Sequence, residues 1–181
     1  MYDQPTGTTP EKYYNFCPRC GAPLALKFME GRQRIVCTKG DFVFYQNPHA
    51  ATAALVVNGA GEVLLVKRNV EPRKGAWDVP GGFVDWGEDP AEGLVREMRE
   101  ELGVRFTPEA LVDGYHDWYD SQRLAVSVVI LYYEGTIDGE LKPADDVSEF
   151  RWFALDALPD DLAFPHVREA LAALARRRLH T

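Results

Sequence analysis

The sequence predicts an α+β protein: a mixed sheet sandwiched by helices, with a small β segment carrying cysteines ahead of it. Three observations predict it. Two stretches, Pro90–Leu102 and His166–Leu179, repeat apolar residues at helical spacing. Several short apolar runs read as strands but do not alternate strictly with helices, which disfavours a doubly wound parallel sheet. All three cysteines fall within the turn-rich stretch from Tyr14 to Tyr45. The expected division is residues 1–46 for the small segment and 47–181 for the main domain.

In chain order, Phe16-Cys17-Pro18-Arg19-Cys20-Gly21 has the form of a knuckle that aims two thiolates at one ion. Leu24–Phe28 and Arg34–Val36 are expected to pair as a hairpin across Glu30-Gly31. Asn47-Pro48 marks a boundary, because proline disfavours helix at the residue before it. Ala51–Val57 suits a buried strand, Asn58-Gly59-Ala60-Gly61 a turn, and Glu62–Lys67 a second strand, so this stretch reads as a hairpin. Pro80-Gly81-Gly82 breaks the chain ahead of a helix. Asp89 can cap that helix, Pro90 suits its first position, Glu92 completes a capping box, and Gly103 ends it. Leu124–Tyr133 is the strongest strand, Phe150–Phe153 a short one, and His166–Leu179 a closing helix.

Composition bounds the function. A formal net charge of −8 argues against a protein that tracks nucleic-acid phosphates. The basic run Arg176-Arg177-Arg178 ends a helix, where cations suit the macrodipole. No run nears the roughly 18 apolar residues of a membrane span, and Met1–Thr9 lacks the pattern of a secretory signal. The expected setting is cytoplasmic, with no membrane partner. In that setting three cysteines suggest a metal site rather than disulfides.

The chemistry concentrates on Pro90–Leu102. Ala91, Leu94, Val95, Met98 and Leu102 form an apolar stripe, while Glu97, Glu100 and Glu101 gather on another face. Clustered carboxylates repel unless a cation sits among them. They also lie late in the helix, where the macrodipole disfavours anions, so helix stability does not explain them. Gly81-Gly82 lets a backbone carbonyl approach as one more oxygen donor. Such a donor set suits Mg²⁺ or Mn²⁺.

Gly82, Glu88, Arg96, Glu97, Met98, Glu100, Glu101, Gly103 and Val104 match every position of the pattern G-x5-E-x7-R-E-U-x-E-E-x-G-U. From about Asn47 onward the chain therefore resembles the Nudix hydrolases, and its lead-in Trp77-Asp78-Val79-Pro80-Gly81-Gly82 is similar to theirs. The resemblance implies a Nudix α/β/α sandwich and Mg²⁺-dependent cleavage of a diphosphate linkage in a nucleotide derivative. It implies Glu97, Glu100, Glu101 and the Gly82 carbonyl as metal ligands, with Arg96 paired to Glu88 as the orienting residue. The catalytic base is left between Glu100 and Glu101, with Asp146 or Glu149 able to reach in from a loop. Candidate substrate contacts are Arg68, Phe83, Trp118, Tyr119 and Glu149, the aromatic residues as faces on which a base can stack. A homodimer is expected by analogy with relatives.

The segment before Asn47 resembles the zinc ribbon of NADH, FAD or ADP-ribose pyrophosphatase-type members, with Tyr45-Gln46-Asn47-Pro48 strengthening the link. It departs from them at Cys37-Thr38-Lys39-Gly40-Asp41, where Gly40 stands at the expected fourth ligand position. Cys17, Cys20 and Cys37 are candidate zinc ligands with Asp41 or a water as the fourth, and folding without zinc stays open. The chain also lacks the Ser-Gln-Pro-Trp-Pro-Phe-Pro-type stretch of NADH pyrophosphatases, having Tyr115–Gln122 instead. That disfavours NADH as the main substrate, while the resemblance to ribbon-bearing relatives implies an ADP-ribose, FAD or dinucleotide type of substrate. A nucleoside triphosphate pyrophosphatase and a non-catalytic nucleotide sensor are the alternatives.

Overall fold

The computed structural model describes residues 14–120 and 125–179. Its elements are strands β1 (Leu24–Met29), β2 (Arg32–Cys37), β3 (Val43–Phe44), β4 (His49–Val56), β5 (Glu62–Arg68), β6 (Trp77–Asp78) and β7 (Gly81–Phe83), then helix α1 (Pro90–Leu102). Strands β8 (Arg105–Asp120), β9 (Ala125–Asp138) and β10 (Val147–Ala154) follow, and α2 (Pro165–Arg178) closes the chain. Leu124, expected to open a strand, and Ser121 and Gln122 lie outside the described residues, as does Met1–Thr9.

The described residues form two compact units, residues 14–48 with 118–120 and 125–127, and residues 49–117 with 128–179. In the first, β1 and β2 pair antiparallel from Leu24↔Cys37 to Met29↔Arg32, and β3 adds to β2. Glu30 and Gly31 turn the hairpin with φ of 51° and 76°, as the expected tight turn requires.

In the second unit the sheet is split. One sheet has the order β7-β4-β9-β8, with β4 antiparallel to β7 and parallel to β9; the other has the order β10-β5-β6. The expected hairpin of β4 and β5 is thereby corrected. Asn58 makes the turn, its Oδ1 accepting from the Ala60 and Glu62 amides, but the two strands share only the Val57↔Val63 bridge and part into different sheets. β4 is buried from Ala51 to Val56 and β5 from Val63 to Val66, so each needs a partner on both edges. β7 and β9 take both edges of β4, and β10 and β6 both edges of β5, so no edge is left for a mutual ladder.

Between the layers lies a core of Ala54, Val56, Leu64 and Val66 from the strands with Leu94, Met98 and Leu102 from α1. Three of the five residues in the predicted stripe are thus fully buried. Burying three such side chains contributes roughly 5–9 kcal/mol, so α1 is fixed against the sheets by packing far more than by its cap. Asp89 does cap it, but its oxygen accepts from the Ala91 amide rather than completing a box with Glu92. Gly103 ends the helix in the left-handed conformation at φ 69°. On α2, Val167, Ala170, Leu171 and Leu174 are buried, and His166 lies between the Tyr132 hydroxyl at its Nδ1 and Asp117 at its Nε2.

Candidate active site and thiol cluster

The α1 carboxylates are not equivalent. Glu101 is 7 % exposed and its Oε2 accepts from the Gly81 amide at 2.9 Å. Burial pushes its carboxyl up to about 8, and the nearby Glu97, Asp78 and Asp146 add to the rise. Glu97 is also raised, first by burial, against the pull of Arg96. Glu100 lies at the exposed rim of the same face.

Arg96 organises this face. Its Nε and Nη2 hold both oxygens of Glu88 at 3.0 Å, and Nη2 also donates to the Phe83 carbonyl at 3.0 Å. Nη1 reaches Glu97 at 2.7 Å and Glu100 at 3.1 Å. Those bonds hold the Glu88 carboxyl below the usual range and raise the guanidinium still higher. The expected pairing of Arg96 with Glu88 and the acidic cluster is therefore present as a fork onto five oxygens of four residues. Among the described residues, the glutamates do not draw together as tightly as an ion would hold them: Arg96 stands between Glu97 and Glu100.

Glycines shape the floor. A Cβ on Gly82 would lie 2.6–2.8 Å from three carboxylate atoms of Glu97, and one on Gly93 would lie 2.9 Å from Glu88 Oε2. Gly81, at φ 145°, backs onto the Thr52 carbonyl, where a Cβ would come within 2.2 Å. The expected break at Gly81-Gly82 is instead part of strand β7, paired with Thr52 and Ala53 of β4, and it brings backbone directly under the acidic face. Gly93 is a helix-interior glycine that propensity alone would count as a defect; it makes room for the Glu88 carboxylate.

Sequence reasoning passed over Asp78. It is buried, with its carboxyl pushed up to about 6 by burial against the pull of Arg68, and it acts on Glu101. A charged residue inside an otherwise apolar lead-in was the available signal. Arg68, a candidate substrate contact, binds Asp78 Oδ2 at 3.1 Å and the Pro72 carbonyl at 2.8 Å, with Phe164 under its guanidinium. Glu149 is held between Arg151 and Lys67, and Arg151 first among them lowers its carboxyl. Asp146, the other loop candidate, lies close enough to raise Glu101. Phe83, whose carbonyl meets Arg96, and Trp86 are exposed, with His49 edge-on to Phe83 at 6.1 Å. Trp118 and Tyr119 are half-buried near the end of β8, in the unit that contains the thiols.

In that unit the Sγ atoms of Cys17, Cys20 and Cys37 lie within 4.8 Å of one another, with Cys20 and Cys37 3.5 Å apart. Cys17 and Cys37 are buried and Cys20 exposed. Although burial raises the Cys17 thiol, backbone hydrogen bonds at Arg19 and Cys20 bring it below its ordinary value. Asp41 does not join the cluster: its carboxylate is 95 % exposed and faces Arg19 at 3.6 Å.

A split mixed sheet with a glutamate-bearing helix laid over a double-glycine strand, and a three-stranded thiol-bearing ribbon before it in sequence, define a two-part architecture. The chain belongs to the Nudix hydrolase family: the NUDIX domain model matches residues 47–174, and the zinc-ribbon Nudix N-terminal model matches residues 15–46. It is similar to an ADP-ribose pyrophosphatase of Methanocaldococcus jannaschii, 36% identical over 122 residues, covering 67% of this chain and 70% of that one. It is also similar to the NAD-capped RNA hydrolase NudC of Pseudomonas aeruginosa, 27% identical over 150 residues and 82% of this chain, but spanning only 50% of that relative. Among solved structures, a NUDIX hydrolase from Nitrosomonas europaea superposes with a TM-score of 0.78 at 28% identity, covering 92% of this chain and 93% of that one. A MutT NUDIX hydrolase from Burkholderia pseudomallei follows at 0.63 and 30% identity, over 71% and 98%. Among the described residues no helix is long and apolar enough to cross a membrane.

Proposed function

We propose that the protein is a Mg²⁺- or Mn²⁺-dependent pyrophosphohydrolase cleaving the diphosphate linkage of a nucleoside diphosphate derivative, of ADP-ribose, FAD or dinucleotide type. The observation that carries this reading is Glu101, a buried carboxyl raised to about 8 amid further acids and floored by the Gly81 amide. A hard divalent cation relieves that field, and the donors on offer are all oxygens. Glu97, Glu100, Glu101 and the Gly82 carbonyl are the proposed ligands. When bound, the cation neutralises diphosphate charge and polarises phosphorus toward attack by water.

Around it, Arg96 and Glu88 orient the carboxylates, and Glu100 or Glu101 takes the proton of the attacking water. Asp146 is better placed than Glu149 to assist, since Arg151 and Lys67 already hold Glu149 as a weak base. The exposed Phe83 offers a face for the base. Arg68 acts by holding Asp78. The ADP-ribose pyrophosphatase similarity favours an ADP-ribose-like substrate. The net charge of −8 favours a free nucleotide over an RNA chain, and the NudC similarity makes capped RNA an arm of the test.

Release of products with Mg²⁺ across ADP-ribose, FAD, NADH, dinucleoside polyphosphates, nucleoside triphosphates and NAD-capped RNA decides the matter. Turnover of a nucleoside diphosphate derivative is the expected result; turnover of triphosphates alone, or binding without turnover of any compound, overturns it. Two further outcomes follow. Mg²⁺ raises the melting temperature of the protein, and more at pH 8.5 than at pH 6, because the bound proton on Glu101 competes with the ion below about 8. Gly82→Ala keeps the fold, since the atoms it meets belong to the flexible Glu97 side chain, but weakens Mg²⁺ about 10–100-fold by displacing that carboxylate. A Mg²⁺ titration followed by calorimetry checks both.

A further inference from the structure

The thiol cluster is built for four ligands and supplies three. The first knuckle spaces its cysteines as Cys17 and Cys20; the second repeats that spacing as Cys37 and Gly40. Gly40 is not in the left-handed region, and a Cβ built on it would lie 3.7 Å from Cys37 Sγ with no other atom within 4 Å. The fourth place therefore faces the Cys37 sulfur, and no other described residue fills it. Asp41 turns toward Arg19, and among the described residues no other ligating side chain joins the cluster.

The three sulfurs suit one ion. Tetrahedral zinc, with bonds of about 2.3 Å, places thiolates about 3.8 Å apart. Here Cys20 and Cys37 are 3.5 Å apart and all three fall within 4.8 Å. The Lys39 amide donates to Cys37 Sγ at 3.4 Å, which supports a thiolate without filling a coordination position.

We propose that Cys17, Cys20 and Cys37 hold a thiophilic divalent ion of the zinc class through three thiolates, its fourth position left open at Gly40 for a small monodentate donor from solution, an imidazole or a low-molecular-weight thiolate. Three protein ligands with one exchangeable position is the arrangement of an open rather than a closed zinc site. Each thiol releases its proton on binding, and the incoming donor displaces a water, so the exchange involves no redox step.

The test uses the full chain under a non-thiol reductant, with Co²⁺ as the probe. Wild type is expected to show thiolate-to-cobalt charge transfer and tetrahedral visible bands, and added imidazole is expected to shift those bands. Gly40→Cys is expected to gain one thiolate's share of charge-transfer intensity, to bind Co²⁺ at least about tenfold tighter, and to ignore imidazole. Wild-type bands that imidazole leaves unmoved mean a closed site and overturn the proposal; so does the lack of a thiolate band. The imidazole arm needs no variant, so misfolding of Gly40→Cys would leave the proposal decided by wild type alone. None of these readouts depends on hydrolysis.

Discussion

Glu101→Gln is expected to lower turnover by about 10³-fold while raising the stability of the cation-free protein at alkaline pH. Glutamine keeps the volume and can still accept from the Gly81 amide, so the packing survives. What it removes is the ionisable group whose folded value stands at about 8 against an ordinary 4.5. Between those values the native state holds a proton that the unfolded chain has released, so stability falls as pH rises through the window. The variant lacks that loss. It should therefore melt higher than wild type above about pH 8 in chelator, and the gap should close toward pH 4.5. Melting curves against pH, beside turnover at saturating Mg²⁺ and substrate, check the pair of outcomes. A variant that loses activity and stability together at every pH would reduce Glu101 to a packing residue.

The second large effect is expected at Arg96. Arg96→Ala leaves Glu88, Glu97 and Glu100 facing one another without their shared cation, and removes the Arg96 bond to the Phe83 carbonyl. The guanidinium is largely shielded, at 22 % exposure, so solvent does not make good the loss. Removing one partner from such a network costs about 2–4 kcal/mol, which lowers the melting temperature by roughly 5–15 °C in a chain of this size. Turnover should fall about 10²-fold as Glu97 and Glu100 lose their orientation. Arg96→Lys keeps the charge but cannot span Glu88 and the helix carboxylates together, so it should recover only part of either loss. Urea titrations and steady-state kinetics on the two variants separate charge from geometry.

Much of the site was legible in one dimension because a helix converts spacing into proximity. Arg96 and Glu100 meet as their four-residue spacing on the helix requires, the Arg96–Glu88 pair was implied by the family resemblance since Glu88 lies before the helix, and the limits of α1 follow from Asp89, Pro90 and Gly103. The ribbon hairpin was equally readable, since its register is set by a two-residue turn. The β4–β5 pairing was misjudged because turn chemistry reports that a chain reverses, not that the arms stay together. Both edges of each strand go to partners distant in sequence or beyond the turn, in separate sheets. The long β8 escaped notice because its residues are mostly exposed or half-buried and carry little apolar pattern.

The order of residues, then, determined the family, the helix with its acidic face, the double glycine and the missing fourth thiol ligand, all of them local patterns with local physics. Tertiary structure alone decided that Glu101 is the buried member of the acidic face while Glu100 is not, for both lie on one side of an isolated helix and differ only in what packs over them. It decided that Arg68 serves Asp78, and that Asp41 turns from the thiols to Arg19. Desolvation and contacts between residues far apart in sequence depend on the whole packed chain, and no spacing along it encodes them.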